Sequence, residues 1–121
     1  MENYTIVRPE HLNHYGFLFG GYLLKWVDEV AYIAANIDLP NHHFVTVAFD
    51  NVEFKHSITQ GQIIRFSINR VKIGISSVQY LVEVFAEGDP TQPQTPLFTT
   101  NITFVNVDQH GHKQPIRKPS T

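Results

Sequence analysis

Two features of the segment that begins Gly20-Gly21-Tyr22-Leu23 and continues through Asp28-Glu29 have a chemical use. Leu23, Trp26, Val27, Val30, Ile33, Ala34 and Ile37 recur at helical spacing, which predicts the chain's one long helix, from about Gly21 to Asn36. Gly20 and Gly21 then stand at its start, where backbone N–H groups lack intrahelical acceptors and the helix dipole is positive. With no side chain in the way, a ligand oxygen can come close to those N–H groups. On the helical wheel the apolar stripe centres on Leu23, Val27, Val30 and Ala34, with Lys25, Glu29, Tyr32 and Asn36 roughly opposite. Asp28 falls on the shoulder, beside Leu24, Ala31 and Ala35. A half-buried carboxylate is a stronger base than a solvated one, which suits general-base work. An aspartate on the boundary of an ordinary amphipathic helix gives the same pattern, and Glu29 reads as solvated surface.

The elements that must position these groups are legible from composition and periodicity. The 121 residues fit one compact domain, and 42% apolar content is enough to bury a core. Tyr4 to Val7 reads as a short strand closed by Arg8-Pro9, and His11 to Phe19 as a loop. Pro40 disfavours helix in the residue before it and so ends the long helix. Beyond it, His43 to Phe54, Gln62 to Ile73, Ser77 to Glu87 and Leu97 to Val107 are rich in Val, Ile, Phe, Tyr and Thr and read as strands. Val45, Val47 and Phe49 are apolar at odd positions, whereas Val52 and Phe54 continue at even ones, so a bulge is expected near Asp50-Asn51. Ile64, Phe66 and Ile68 hand over to Val71 and Ile73 in the same way. Long, bent strands after one helix suggest an α+β fold, with an antiparallel sheet curled around that helix. Phe85 and Leu81 fall on the outer face and suggest a partner subunit. Residues 1–108 form the expected domain; residues 109–121, with Ile116 as their one strong hydrophobe, are expected to be a loosely held tail.

Asn13-x-x-Gly16-x-x-Phe19-Gly20-Gly21, followed by Leu24-x-x-x-Asp28, resembles the active-site segment of hotdog-fold acyl-CoA thioesterases of the YciA and brain acyl-CoA hydrolase types. Val45-Thr46-Val47, Asp50 with Val52 and Phe54, Ile58 with Gly61, and Gly74-Ile75-Ser76-Ser77-Val78 match in order. Asp108-x-x-Gly111 closes the series. The resemblance implies hydrolysis of an acyl-CoA to a carboxylic acid and coenzyme A, with no further cofactor. It implies that Asp28 is the base, that Asn13 positions water or the carbonyl, and that the N–H groups at Gly20-Gly21 polarise the thioester. It places Phe19 in the substrate site and the stretch from Gly74 through Ser76 and Ser77 along coenzyme A, with Arg70 and Lys72 near the phosphates. It also implies a homodimer in which Asp28 of one subunit faces Asn13 of the other, assembled further into a tetramer or hexamer. Tyr15 and Phe17 are bulkier than in many such proteins, and Phe19 agrees with the YciA branch rather than the branch that has histidine there. Phe17, Phe19 and Trp26 are open to two roles, lining an acyl pocket or packing the core.

Other chemistries find less to rest on. A formal net charge of −2 gives no global attraction for nucleic acid or a membrane surface, and no apolar run approaches the ~20 residues of a membrane span. The absence of cysteine excludes disulfides and thiolate chemistry, and the start Met1-Glu2-Asn3-Tyr4 does not read as a secretory signal, so a cytoplasmic location is expected. His42-His43 and His110-x-His112 lack the i, i+4 pairing or cysteine partners that favour zinc, so no metal is expected. There is no Gly-x-Ser-x-Gly elbow and no Walker or dinucleotide motif. A non-catalytic acyl-CoA sensor on the same scaffold is the main alternative. A hotdog dehydratase would need a histidine paired with a carboxylate near the helix, and only His14 lies nearby.

Overall fold

The computed structural model describes residues 1–91 and 94–117; Gln92 and Pro93 of the last long loop and residues 118–121 of the expected tail lie outside them. The elements run β1 (Glu2–Ile6), a short 3-10 turn at Pro9–His11, α1 (Gly20–Asp38), β2 (Phe44–Phe54), β3 (Ile63–Ile73), β4 (Ser77–Glu87) and β5 (Phe98–Asn106). The five strands form one sheet in the order β1-β3-β4-β5-β2, with every pair antiparallel. The helix begins one residue earlier and ends two residues later than its periodicity predicts. Leu39 caps it by donating its N–H to the Ala35 carbonyl at 2.8 Å, and Asn41 then takes a left-handed conformation (φ 66°). No helix among the described residues is long and apolar enough to cross a membrane.

The core lies between α1 and one sheet face. In β4, Val78, Tyr80, Val82 and Val84 are buried, while Gln79, Leu81, Glu83 and Phe85 are only partly covered, the period-two alternation of a half-buried strand. β5 turns Phe98, Thr100, Ile102 and Phe104 inward. Phe104 is central, with its ring about 6.2 Å from those of Tyr32, Phe44 and Tyr80. From the helix come Leu23, Val27, Val30, Ala31, Ala34 and Ala35, and the three alanines let its backbone lie close to the sheet. Trp26, Ile33 and Ile37 stand roughly 100° round the helix from this stripe. Ile33 and Ile37 are therefore exposed, although they belong to the same apolar periodicity. On the outer face Phe85 carries the Arg65 guanidinium 4.3 Å above its ring.

Both expected phase changes are present. β2 shifts register between Thr46 and Ala48 and again between Asp50 and Glu53, where Asn51 has φ 54°. β3 shifts between Arg70 and Lys72. Each shift sets one extra residue on its strand against the partner and bends that strand.

The expected loose tail is a correction. Up to Arg117 the segment is fastened to the end of the sheet: Lys113 bridges to Val107, Gln114 N–H donates to Asn106 O at 2.9 Å, and Ile116 N–H donates to Ile75 O at 2.7 Å. The Ile116 side chain is buried and belongs to the main core. Asn106, one of two buried polar residues among those described, accepts from His43 N–H at 2.9 Å and donates to the Gln114 and Pro115 carbonyls. Hydropathy failed here because the fastening is mostly main-chain hydrogen bonding, which no apolar count registers. Ile116→Ala is expected to lower stability by about 2–5 kcal/mol, as for other buried large-to-small changes. Urea unfolding measures it; a loss below about 0.5 kcal/mol, the scale of an ordinary surface change, would restore the loose tail.

Candidate active site

The loop before α1 is built on Asn13. Its Oδ1 accepts from the N–H groups of Tyr15 (2.9 Å) and Phe17 (3.2 Å), and its own N–H donates to Phe17 O at 2.7 Å. Gly16 completes the tight turn with φ 85°, a conformation costly for other residues. Leu18 N–H donates to Ile58 O at 2.7 Å, tying the loop to the segment after β2. Asn13 is thus held by its oxygen, and its amide nitrogen meets no acceptor among the described residues.

The chain then enters α1 with Phe19 as N-cap, and no side chain caps the helix. Tyr22 and Leu23 return their N–H groups to Phe19 O, whereas those of Gly20 and Gly21 meet no acceptor among the described residues. This end opens on a cleft of about 300 Å³ lined by Asn13, Gly20, Leu23, Phe54, His56 and Ile58 among others. The two glycines differ. A Cβ on Gly20 would rest 3.5 Å from the Phe54 ring, an ordinary contact, but one on Gly21 would lie 2.7 Å from Phe19 Cε1. Phe19 lies across the Gly21 backbone, with its ring edge-on to Tyr22. Phe17 and Phe19 are both exposed, so neither packs the core; Trp26 is half-buried, with His11 edge-on to its ring at 4.8 Å.

Asp28 is half-buried and Glu29 exposed, as the wheel predicts. Thr46 Oγ1 donates to Asp28 Oδ1 at 2.6 Å, fixing the carboxylate against β2. Sequence reasoning gave Thr46 no role of its own. The available signal was a hydroxyl on the inward phase of a strand, between Phe44 and Ala48. Phe54, His56 and Ile58 were missed as cleft walls because only the tertiary fold brings them to the helix.

Asp28 does not line the cleft that holds Asn13. It lies eight residues along α1 from Gly20, about 12 Å of axial rise. Arg70 is farther still, near the helix C-terminus, where its guanidinium bonds Asp38 at 3.0 Å. Tyr80 donates to the same carboxylate at 2.8 Å; burial, and then that bond, push the Tyr80 phenol well above its ordinary range, so it remains a donor. Lys72 is exposed and forms no ion pair among the described residues. Gly74 N–H closes the β3–β4 turn on Ser77 O at 2.7 Å, and Ser76 O accepts from Asn106 N–H at 2.8 Å. One chain therefore joins Asn13 to Gly20 and Gly21, Asp28 to Thr46, and Arg70 to Asp38, as three separate groups.

Comparison with known proteins gives this geometry a context. A model described as the thioesterase superfamily matches residues 15–92, beginning two residues after Asn13. The chain is 30% identical over 110 residues to YkhA of Bacillus subtilis, named an uncharacterized acyl-CoA thioester hydrolase; the match covers 91% of this chain and 63% of that protein. A hexameric hotdog-fold thioesterase of Campylobacter jejuni superposes with TM-score 0.81 at 30% identity, over 95% of this chain and 88% of the other. An acyl-CoA hydrolase from Staphylococcus aureus, solved with butyryl coenzyme A, coenzyme A and coenzyme A disulfide, superposes with TM-score 0.81 at 25% identity, over all of this chain and 73% of the other.

The two glycines can be separated from packing by experiment. Gly20→Ala introduces only an ordinary contact and a better helix former, so the melting temperature should hold or rise, by up to about 1 kcal/mol in stability terms. Thermal unfolding measures this, and a clear fall would mean that Gly20 serves packing rather than access to the N–H groups.

Proposed function

Because the chain belongs to the thioesterase superfamily and has the hotdog fold, we propose that it hydrolyses acyl-CoA thioesters to a carboxylic acid and coenzyme A. The observation that carries this reading is the helix N-terminus at Gly20-Gly21, whose N–H groups meet no acceptor among the described residues and whose first residue, Gly20, lines the cleft beside Asn13. The thioester oxygen docks on those donors, which stabilise it as negative charge develops. Asp28, oriented by Thr46, takes a proton from water as the water oxygen bonds the carbonyl carbon. Collapse of the tetrahedral intermediate breaks the carbon–sulfur bond, and the coenzyme A sulfur leaves as a thiolate that then takes up a proton. Asn13, held through its oxygen, directs its amide at the water or the carbonyl. The reaction uses water alone and calls on no metal or further cofactor. Phe19 borders the acyl group; Gly74, Ser76 and Ser77 lie along coenzyme A; and Arg70 and Lys72 serve its phosphates, Arg70 at the expense of part of its bond to Asp38.

Such a site needs two copies. β2 is a sheet edge with exposed Val45, Val47, Val52 and Phe54, and Asp28 is fastened to Thr46 near one end of it. The Asn13 cleft lies at its other end, beside Phe54. Antiparallel pairing of two β2 edges about a centre near Asp50 sets Thr46 of one copy opposite Phe54 of the other. That carries each Asp28 toward the other copy's Asn13 and Gly20. We take the assembly to be a homodimer with shared sites that associates further, a hexamer being favoured over a tetramer by the Campylobacter neighbour's form. We take the catalytic unit to include the fastened segment up to Arg117 and to act in the cytoplasm.

Asp28→Asn preserves shape and removes the base, and should lower hydrolysis, read as free-thiol release, by ~10²–10⁴-fold. Glu29→Gln should change little, and the reverse ranking would sink the assignment of the base. Mixing Asn13→Ala with Asp28→Asn chains should regain activity absent from either alone, since one site of each mixed dimer keeps both side chains. No recovery after confirmed subunit exchange rejects the shared site. A wild-type protein that binds acyl-CoA and hydrolyses none would instead be a sensor.

A further inference from the structure

His42 follows the end of α1 and joins two segments far apart in sequence. Its Nε2 lies 3.0 Å from the Arg117 main-chain nitrogen and its Nδ1 lies 2.9 Å from Leu39 O. A main-chain N–H can only donate, so Nε2 is the acceptor; the ring proton is then on Nδ1 and is donated to Leu39 O. The ring stacks on Phe44 at 5.3 Å, and the Arg117 guanidinium donates to Asn41 O at 2.7 Å. One neutral tautomer thus ties residue 117 to the helix end.

The segment held this way supports the β3–β4 turn. Ile116, next to Arg117, buries its side chain in the core and donates its N–H to Ile75 O at 2.7 Å. The Ile75 side chain is 80% exposed, so packing does little to fix the turn, and main-chain bonds to Ile116 and Asn106 hold its position. The linkage runs from His42 through Arg117 and Ile116 to Ile75 and Ser76.

We propose that His42 is a positioning residue for coenzyme A: in its Nδ1-protonated form it clamps residues 114–117 beneath the Ile75-Ser76 turn, and so fixes the turn that receives the coenzyme. The proposal rests on the reading above that this turn lies along coenzyme A. His42 touches neither the thioester nor the attacking water, so its loss weakens binding of substrate and transition state alike.

Two substitutions separate this role from plain stability. Asn reproduces Nδ1 and keeps the bond to Leu39 but does not reach Arg117; Gln places its amide oxygen near the position of Nε2 and keeps the acceptor for Arg117. His42→Asn should raise KM for acetyl-CoA by about three- to tenfold, the share one hydrogen bond ordinarily carries, with kcat within about twofold, the split left by lost uniform binding. His42→Gln should restore the wild-type KM. Amide exchange at Ile116 and Arg117 should quicken in the Asn variant and not in the Gln variant. Arg117→Pro removes the same bond from the other side, lacking the N–H, and should reproduce the Asn result; Arg117→Ala, which keeps it, should not raise KM as far. Unchanged exchange in both His42→Asn and Arg117→Pro overturns the clamp, and quickened exchange with unchanged KM overturns the link to the coenzyme. Absence of turnover by the wild-type protein would overturn the thioesterase reading and with it that link, while the exchange rates still decide whether the clamp exists.

Discussion

A helix that must bury one face while its first N–H groups meet no acceptor among the described residues constrains everything else in this molecule. Burial of Leu23, Val27, Val30, Ala31, Ala34 and Ala35 against the sheet fixes the axis of α1. Once the axis is fixed, the direction of the Gly20 and Gly21 N–H groups is fixed as well. Most helices satisfy such groups with a capping Ser, Thr, Asp or Asn. Here the cap is Phe19, which offers none of those oxygens, and packing holds the helix open at an end that local hydrogen bonding would otherwise close. The preorganisation is therefore supplied by the core, remote from the site.

The neighbouring groups follow the same logic. Asn13 spends its side-chain oxygen on shaping its own loop, at the wall of the cleft. Asp28 is half-covered and held by a hydroxyl from an edge strand, a position that follows from its being on the shoulder of the stripe. The distance between these two groups within one chain is the physical reason why the proposed site draws on two copies, since no side-chain rotation spans two turns of helix.

Helix and strands were legible because burial imposes its period on side chains: Leu23 to Ala34 at helical spacing, and Val78 to Val84 at every second residue. The bend of β2 at Asp50–Glu53 and that of β3 could be read, since a bulge moves the apolar residues to the other parity, whereas the bend at Thr46–Ala48 left Val45, Val47 and Phe49 in one parity and could not. Asp28 was separable from Glu29 for the same reason. What could not be read depends on main-chain partners and on contacts across the fold. Thr46 looks like any strand threonine until Asp28 stands beside it. His42 looks like half of a metal pair until a distant N–H reaches its Nε2, and residues 109–117 look dispensable because hydropathy does not register carbonyls.

The two register shifts in β2 bear on the life of a newly made chain. An exposed, apolar edge strand of this length is a template on which unrelated strands can add and grow into aggregates. A strand bent at Thr46–Ala48 and again at Asp50–Glu53 offers no long, straight row of donors and acceptors, so a flat strand cannot follow it for more than a few residues. The irregularity thus works as a filter: what fits the edge is a strand with complementary kinks, which in the proposed dimer the second copy's own β2 supplies.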